Sequence, residues 1–201
     1  MTSPADDVVA LYERHAHEWD RTGGRRKAEA IWLDRFIAAL PKPGAEIIDL
    51  GCGSGEPVAR YLIDKGCRLT GLDASPTLLG LCRRRLPTHS WIEGDMRQLA
   101  LGRRFDGLLA WNSFFHLPPD DQRPMFRIFR DHAAPGAALM FTSGPGHGEA
   151  IGRFGGDALY HGSLDPADYR GLLAQNGFTV LAQRVEDPEC GGLTVWLARL
   201  S

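Results

Sequence analysis

The residues best suited to chemistry in this chain of 201 amino acids sit in one short run, Asp49-Leu50-Gly51-Cys52-Gly53-Ser54-Gly55. An apolar stretch from Glu46 to Leu50 leads into three glycines, and a helix is predicted straight after. Glycine permits positive φ and lets a backbone approach a ligand closely. The spacing is GxGxG, and Glu56 stands where the dinucleotide fingerprint GxGxxG would place its last glycine. A glutamate at the helix start repels a pyrophosphate, which docks on the positive helix end, so a ligand without phosphate suits this loop better. Asp49, ending the apolar stretch, is placed to hold a cationic ligand group such as an ammonium.

Two more acidic residues recur at strand ends. Asp73 closes Leu69-Thr70-Gly71-Leu72-Asp73, where a carboxylate can accept hydrogen bonds from both hydroxyls of a ribose. Asp95, in Glu93-Gly94-Asp95-Met96, can accept from an adenine amino group while Met96 lies against the ring. Further on, Trp111-Asn112-Ser113-Phe114-Phe115-His116-Leu117 and Gly144-Pro145-Gly146-His147-Gly148-Glu149 read as loops, the second continuing through Tyr160-His161. Loops of this length in a compact domain commonly carry function, and aromatic groups beside polar ones suit a small organic ligand.

The elements that must position these residues alternate between strand and helix. Residues 5–21 and about 27–39 read as helices separated by Gly23-Gly24. Strands are predicted at 46–50, 68–72, 90–92, 105–111 and 137–142, with Ser75-Pro76 capping a helix and further helices at 119–132 and 166–175. Pro135-Gly136 should end the first of these, and Asn176-Gly177 the second. Strands at 178–185 and 194–200 have no helix between them and should pair antiparallel. The expected fold is α/β: a doubly wound, mostly parallel seven-stranded sheet with an antiparallel C-terminal edge hairpin and an N-terminal helical lid. One domain is expected over 1–201, with the lid at 1–44 and a Rossmann-like core at 45–201. Ligands of such sheets bind beyond the carboxyl ends of the strands where strand order reverses.

Three acidic strand ends, the first beside GxGxG, resemble the class I S-adenosylmethionine (SAM)-dependent methyltransferases over roughly residues 45–200. The resemblance implies a SAM-binding enzyme that transfers a methyl group to a small molecule by in-line displacement, with S-adenosylhomocysteine (SAH) as product. It places Gly51, Gly53 and Gly55 near the methionine and ribose parts of SAM, Asp73 on the ribose, and Asp95 with Met96 on the adenine. Asp49, Cys52 and Trp111 complete the expected cofactor set within the core. The pattern Tyr12…Ala16…Trp19-Asp20 is similar to small bacterial members whose first helix covers the cofactor, so Tyr12 and Trp19 are expected to shield it from water. Asn112, Phe115, His116, Glu149 and Tyr160 are the expected acceptor-site residues. A hydroxyl or ammonium acceptor must lose a proton, which makes His161 and His147 the candidate bases.

A net charge of −2 offers no basic face for a nucleic acid, and Asn112 is followed by Ser113-Phe114 rather than by the two prolines of a base-flipping motif. The four cysteines form no CxxC pair, so neither a disulfide framework nor a metal site is expected. No apolar run is long enough to span a membrane, and the N-terminal stretch lacks a signal-peptide core. The expectation is a cytoplasmic protein with a small-molecule substrate and neither nucleic acid nor membrane as partner; oligomeric state is not readable. A nicotinamide-dependent oxidoreductase and a non-catalytic SAM-binding module are the alternative readings.

Overall fold

The computed structural model describes residues 4–22 and 29–201. Its main sheet has seven strands: β1 (Glu46–Leu50), β2 (Arg68–Asp73), β3 (Ser90–Glu93), β4 (Phe105–Ala110), β5 (Ala133–Ser143), β8 (Phe178–Asp187) and β9 (Leu193–Leu200). They lie in the order β3-β2-β1-β4-β5-β9-β8. The first five run parallel; β9 pairs antiparallel with both β5 and β8. Strand order reverses between β1 and β4, which puts the ligand crevice of such a sheet at their carboxyl ends.

The period-two alternation of side chains divides each inner strand between two cores. Ile47, Leu109 and Met140 join the core beneath α3 (Ala30–Ala39) and α4 (Val58–Asp64). Ile48, Leu108 and Leu139 join the core filled by α6 (Pro119–His132) and α7 (Pro166–Gln175), where Phe126, Phe129, Tyr169 and Trp196 are fully buried. Each such aromatic contributes on the order of 1.5–3 kcal/mol through burial. Gly107 lets α3 sit close to the sheet, because a Cβ there would come within 2.8 Å of Phe36 and 2.7 Å of Leu40. α5 (Pro76–Arg85) opens on Ser75, whose hydroxyl accepts from Leu78 N at 3.1 Å. Among the described residues no helix is long and apolar enough to cross a membrane.

Three expectations about elements need correction. The first helix is two, α1 (Val8–Arg14) and α2 (Ala16–Thr22), broken at His15, which turns its ring to Asp157. Gly23-Gly24 and the first residues of the next predicted helix lie outside the described residues. β5 begins at Ala133, ahead of Pro135-Gly136, because that dipeptide bulges out: Phe105 faces Ala133, yet Gly107 already faces Ala138. The segment read as a long loop contains a second, two-stranded sheet, β6 (Gly148–Phe154) and β7 (Asp157–Ser163). Gly155 and Gly156 turn it with φ of +59° and +90°, the paired positive values a tight hairpin needs.

Buried Gln122 fixes this hairpin to the main sheet. Its amide donates to Leu117 O at 2.8 Å and Gly162 O at 2.9 Å, and its carbonyl accepts from Tyr169 Oη at 2.5 Å. With its polar groups satisfied, the side chain ties the loop after β4 to β7 and α6.

Candidate functional site

The carboxyl ends of β1 to β4 open onto a cleft. Gly51 and Gly53 form part of its floor, with φ of +77° and +56°. A Cβ on Gly51 would fall 2.3 Å from Ser113 Cβ, and one on Gly53 would meet Trp19 Nε1 at 3.2 Å. Gly55 serves packing instead: its Cβ would press on Cys82 and Leu86 at 3.3 Å, away from the cleft. The loop is held to β2 by Gly51 N and Cys52 N, which donate to Leu72 O at 2.7 and 3.1 Å. Cys52 is buried, and its Sγ lies beside Gly53 O, toward which Cys82 Sγ also donates. Burial pushes the Cys52 thiol well up, and the residue lies outside the cleft wall rather than in the expected cofactor set.

Of the three carboxylates, Asp73 stands in the cleft wall. Its Oδ2 accepts from Gly53 N at 2.7 Å and its Oδ1 from Ser75 N at 2.9 Å, which leaves each oxygen a further lone pair. Burial raises its pKa against the pull of those amides. Asp49 lies behind the glycine loop, 2% exposed, rather than in the wall. Burial, with the neighbouring charge of Asp73, pushes its carboxyl up to about 8. Asp95 does line the cleft, with Met96 beside it, but both oxygens are engaged by Arg97 at 2.6–3.0 Å. Arg97 also reaches Asp121 at 2.7 Å. Burial raises the Asp95 carboxyl but the Arg97 hydrogen bonds outweigh it, and the group sits below the usual carboxylate range. A ligand amino group at Asp95 therefore requires Arg97 to give way.

Helices α1 and α2 roof the cleft and are fastened on both sides. The Glu13 carboxylate accepts from Ser75 Oγ at 2.5 Å and from Thr77 Oγ1 and N at the start of α5. Asp20 takes a two-pronged contact from Arg85 at 2.5 and 2.6 Å. On the hairpin side, Arg14 and His15 reach Asp157 at 2.9 and 3.0 Å. Between these anchors Tyr12 meets Trp19 edge-on at 5.1 Å and stacks on Phe154 at 6.0 Å.

The same aromatic group separates the cleft from a second chamber. Tyr12, Trp19, Asn112 and His116 line both spaces, and Phe115, Phe154, His161 and Glu29 line the second alone. His116 Nδ1 is 2.9 Å from Tyr160 O, a carbonyl that can only accept, so Nδ1 carries the proton. Nε2 then accepts from the Tyr12 hydroxyl at 3.0 Å. Burial, against the raising effect of the Tyr160 carbonyl, holds His116 down at about 4, and it is neutral near pH 7. His161, half-buried, is also lowered by burial, and its ring lies 5.1 Å from that of His116. Asn112 has a φ of +52°, and its buried Oδ1 has no hydrogen-bond partner among the described residues.

The expected acceptor residues thus divide. Asn112, Phe115, His116 and His161 come together around the chamber. Tyr160 does not, because side chains alternate along β7: Leu159 and His161 face the chamber, while the Tyr160 hydroxyl lies toward the Leu117 carbonyl and Pro119. That hydroxyl donates to Glu149 at 2.8 Å, and Glu149 itself is exposed on β6. His147 is exposed in the turn before β6 and lines neither space, so the fold leaves it outside the candidate site. Trp111 packs in the core under α3 and α4, its buried Nε1 without a hydrogen-bond partner among the described residues, and is not in the cleft wall. Glu29, Phe154, Ser113 and Arg97 are site residues that sequence reasoning missed. The Gly155-Gly156 pair between two short runs was the available signal for Phe154.

Comparison with known proteins agrees with this architecture. Residues 47–136 match the family model described as a methyltransferase domain. The malonyl-[acyl-carrier protein] O-methyltransferase of Enterobacter lignolyticus is 29% identical over 142 residues, 68% of this chain and 53% of that protein. The dTDP-3-amino-3,6-dideoxy-alpha-D-glucopyranose N,N-dimethyltransferase of Streptomyces fradiae is 38% identical over 90 residues, 44% of this chain and 35% of that one. The chain spans about half the length, or less, of the curated relatives it matches. Among solved structures, magnesium protoporphyrin IX methyltransferase from Synechocystis PCC 6803 with bound SAM superposes with a TM-score of 0.76 at 18% identity, covering 100% of this chain and 99% of that one. Residues 47–136 are thus similar to a methyltransferase domain, and the chain shares the fold of the solved magnesium protoporphyrin IX methyltransferase.

Proposed function

We propose that this protein is an enzyme that binds SAM in the cleft at the carboxyl ends of β1 to β3 and transfers its methyl group to a small molecule in the chamber under the lid. The observation that carries this reading is the meeting of two cavities at Tyr12, Trp19, Asn112 and His116. Two reactants held in adjoining spaces gain the large proximity advantage of an intramolecular reaction.

The residues present fit SAM. Gly53 offers a bare backbone at a point where a Cβ would crowd Trp19, and Asp73 keeps lone pairs for two hydroxyls. Leu72, Leu78 and Met96 give an apolar wall for a ring. SAM, when bound, supplies a methyl group activated on a positively charged sulfur. Trp19 and Tyr12 keep water from the junction. His116 has both ring nitrogens occupied and acts as a post for the lid. His161, neutral and facing the chamber, is the group suited to receive a proton from the acceptor.

Cavities roofed by α1 and α2 suit a small molecule better than a nucleic acid, and a net charge of −2 provides no counterion-releasing face. Four buried, unpaired cysteines suit a reducing cytoplasm. Incubation with SAM and a panel of small nucleophiles, read by mass spectrometry, tests the transfer. A mass gain of one methyl group on an acceptor supports it; SAM binding without transfer to any acceptor would favour a binding module.

A further inference from the structure

We propose that the outer edge of β6 docks a second copy of this chain, the two β6 strands pairing antiparallel about Ile151. The proposal stands independently of the SAM reading.

The hairpin register decides which backbone groups of β6 point outward. It runs unbroken from Gly148 opposite Ser163 to Phe154 opposite Asp157, with Gly155-Gly156 as a two-residue turn. Such a turn closes on a hydrogen-bonded pair, and bonded and non-bonded pairs alternate from there. Phe154, Gly152 and Ala150 therefore spend their backbone groups on β7, while Arg153, Ile151 and Glu149 turn theirs away from it. The far side of β7 obeys the same parity. The carbonyls of Tyr160 and Gly162, opposite Ile151 and Glu149, point outward and accept from His116 Nδ1 and Gln122 Nε2, each at 2.9 Å. That edge of β7 is thereby covered, whereas β6 has β7 as its only strand partner among the described residues.

The edges of the main sheet are guarded. β3 has only four residues, and β8 is broken by register shifts between Val180 and Ala182 and between Arg184 and Asp187. β6 has seven residues, no shift, and neither lysine nor proline. Ile151 at its centre is 56% exposed, more than any other large apolar side chain among the described residues.

The sequence of this edge selects its partner. Glu149, Ile151 and Arg153 alternate onto one face, and all three are exposed. Antiparallel pairing about Ile151 sets Ile151 against its own copy and Glu149 against Arg153 at both ends. Every outward N–H and C=O of the three residues is then bonded across the edge. A register moved by two residues either way puts a charge opposite Ile151 and loses the ion pairs. Glu149 already accepts from Tyr160 Oη at 2.8 Å, and Arg153 donates to Gly156 O at 3.2 Å. The carboxylate keeps further lone pairs and the guanidinium further N–H groups for the partner. A two-stranded sheet is marginal alone. Pairing makes it four-stranded and stiffens the strands that carry Phe154 and His161 to the chamber.

The test is sedimentation velocity of the full chain from about 5 µM to about 500 µM, the range that suits a small interface. A concentration-dependent passage from one chain to two is expected. Ile151→Lys should weaken the dimer about tenfold, and so should Arg153→Glu, which sets carboxylates opposite each other. Glu149→Arg combined with Arg153→Glu restores opposite charges in this register and should recover the dimer to within about threefold of wild type. Far-ultraviolet circular dichroism checks that each variant is folded. Amide exchange at Glu149, Ile151 and Arg153 should slow as concentration rises, with Ala150 and Gly152 unchanged. A monomer at every concentration, or a dimer indifferent to both single substitutions, would overturn the proposal. So would a charge exchange that fails to rescue the dimer, or a dimer in which those three amides exchange as fast as in the monomer.

Discussion

The hydroxyl of Tyr12 on the first lid helix lies 3.0 Å from Nε2 of His116, in the loop after β4. Nδ1 of the same ring is committed to the Tyr160 carbonyl, so one imidazole joins the lid, the main sheet and the hairpin. This linkage works only while His116 is neutral, because a protonated ring has no lone pair for Tyr12 to reach.

A pH dependence follows, and its sign is fixed. His116 titrates at about 4 when folded and near its ordinary 6.5 when unfolded. Between those values the unfolded chain binds more protons, so this group's contribution is complete above about pH 6.5 and is lost as pH falls toward 4. The loss amounts to roughly 3 kcal/mol at the lower end, from about 1.4 kcal/mol per unit. Asp49 works in the opposite direction, since its raised carboxyl favours the fold at low pH. Urea unfolding of wild type and His116→Gln, compared at several pH values, separates them. The stability difference should shrink steadily from pH 7 to pH 4; a constant difference contradicts the neutral-ring linkage.

Asp73→Asn should weaken SAH binding by about 1.5–3 kcal/mol, the range for hydrogen bonds to a charged group. Asp73 also holds Gly53 N and Ser75 N, so the thermal midpoint must be followed alongside affinity. A folded variant with unchanged SAH affinity would remove Asp73 from the cofactor site.

Gly53→Ala tests the bare backbone. At a φ of +56° a side chain is strained, and its Cβ would sit 3.2 Å from Trp19 Nε1. Strain of about 1–2 kcal/mol in stability is expected. SAH affinity should fall by a larger factor than this strain alone accounts for, as the lid is displaced. Full SAH affinity in the variant would mean that the ligand does not lie against this loop.

His161→Asn should leave SAH affinity intact and lower turnover by about 10²–10⁴-fold, the usual worth of a general base. Because burial places the His161 pKa below 6.5, wild-type activity should fall on the acid side of that value, and the variant should lack this limb. Equal turnover with an unchanged pH profile would return His161 to a packing role.

The glycine run, the acidic strand ends and the order of helices and strands were legible because local chemistry dictates them. Ile47-Ile48 suit a buried parallel sheet, and Gly51 and Gly53 can take the positive φ that the turn after it requires. The β6–β7 hairpin left only the Gly155-Gly156 turn as a signal, because β6 is largely exposed and carries no apolar alternation. That omission left His147, Glu149, Tyr160 and His161 all eligible. Strand alternation, visible only once the hairpin exists, turns His161 into the chamber and Tyr160 out of it. Asp95 was read as free to bind, since nothing local reveals that Arg97, two residues on, folds back onto it. Glu29 and Phe154 meet in one chamber only through tertiary packing.

The central claim is that the cleft over Gly51, Gly53 and Asp73 holds SAM. Calorimetric titration of the purified protein with SAM, SAH and NADH in parallel tests it most directly. Micromolar binding of SAM and SAH, with none of NADH, is the predicted result. Binding of NADH alone, or of none of the three, would contradict it.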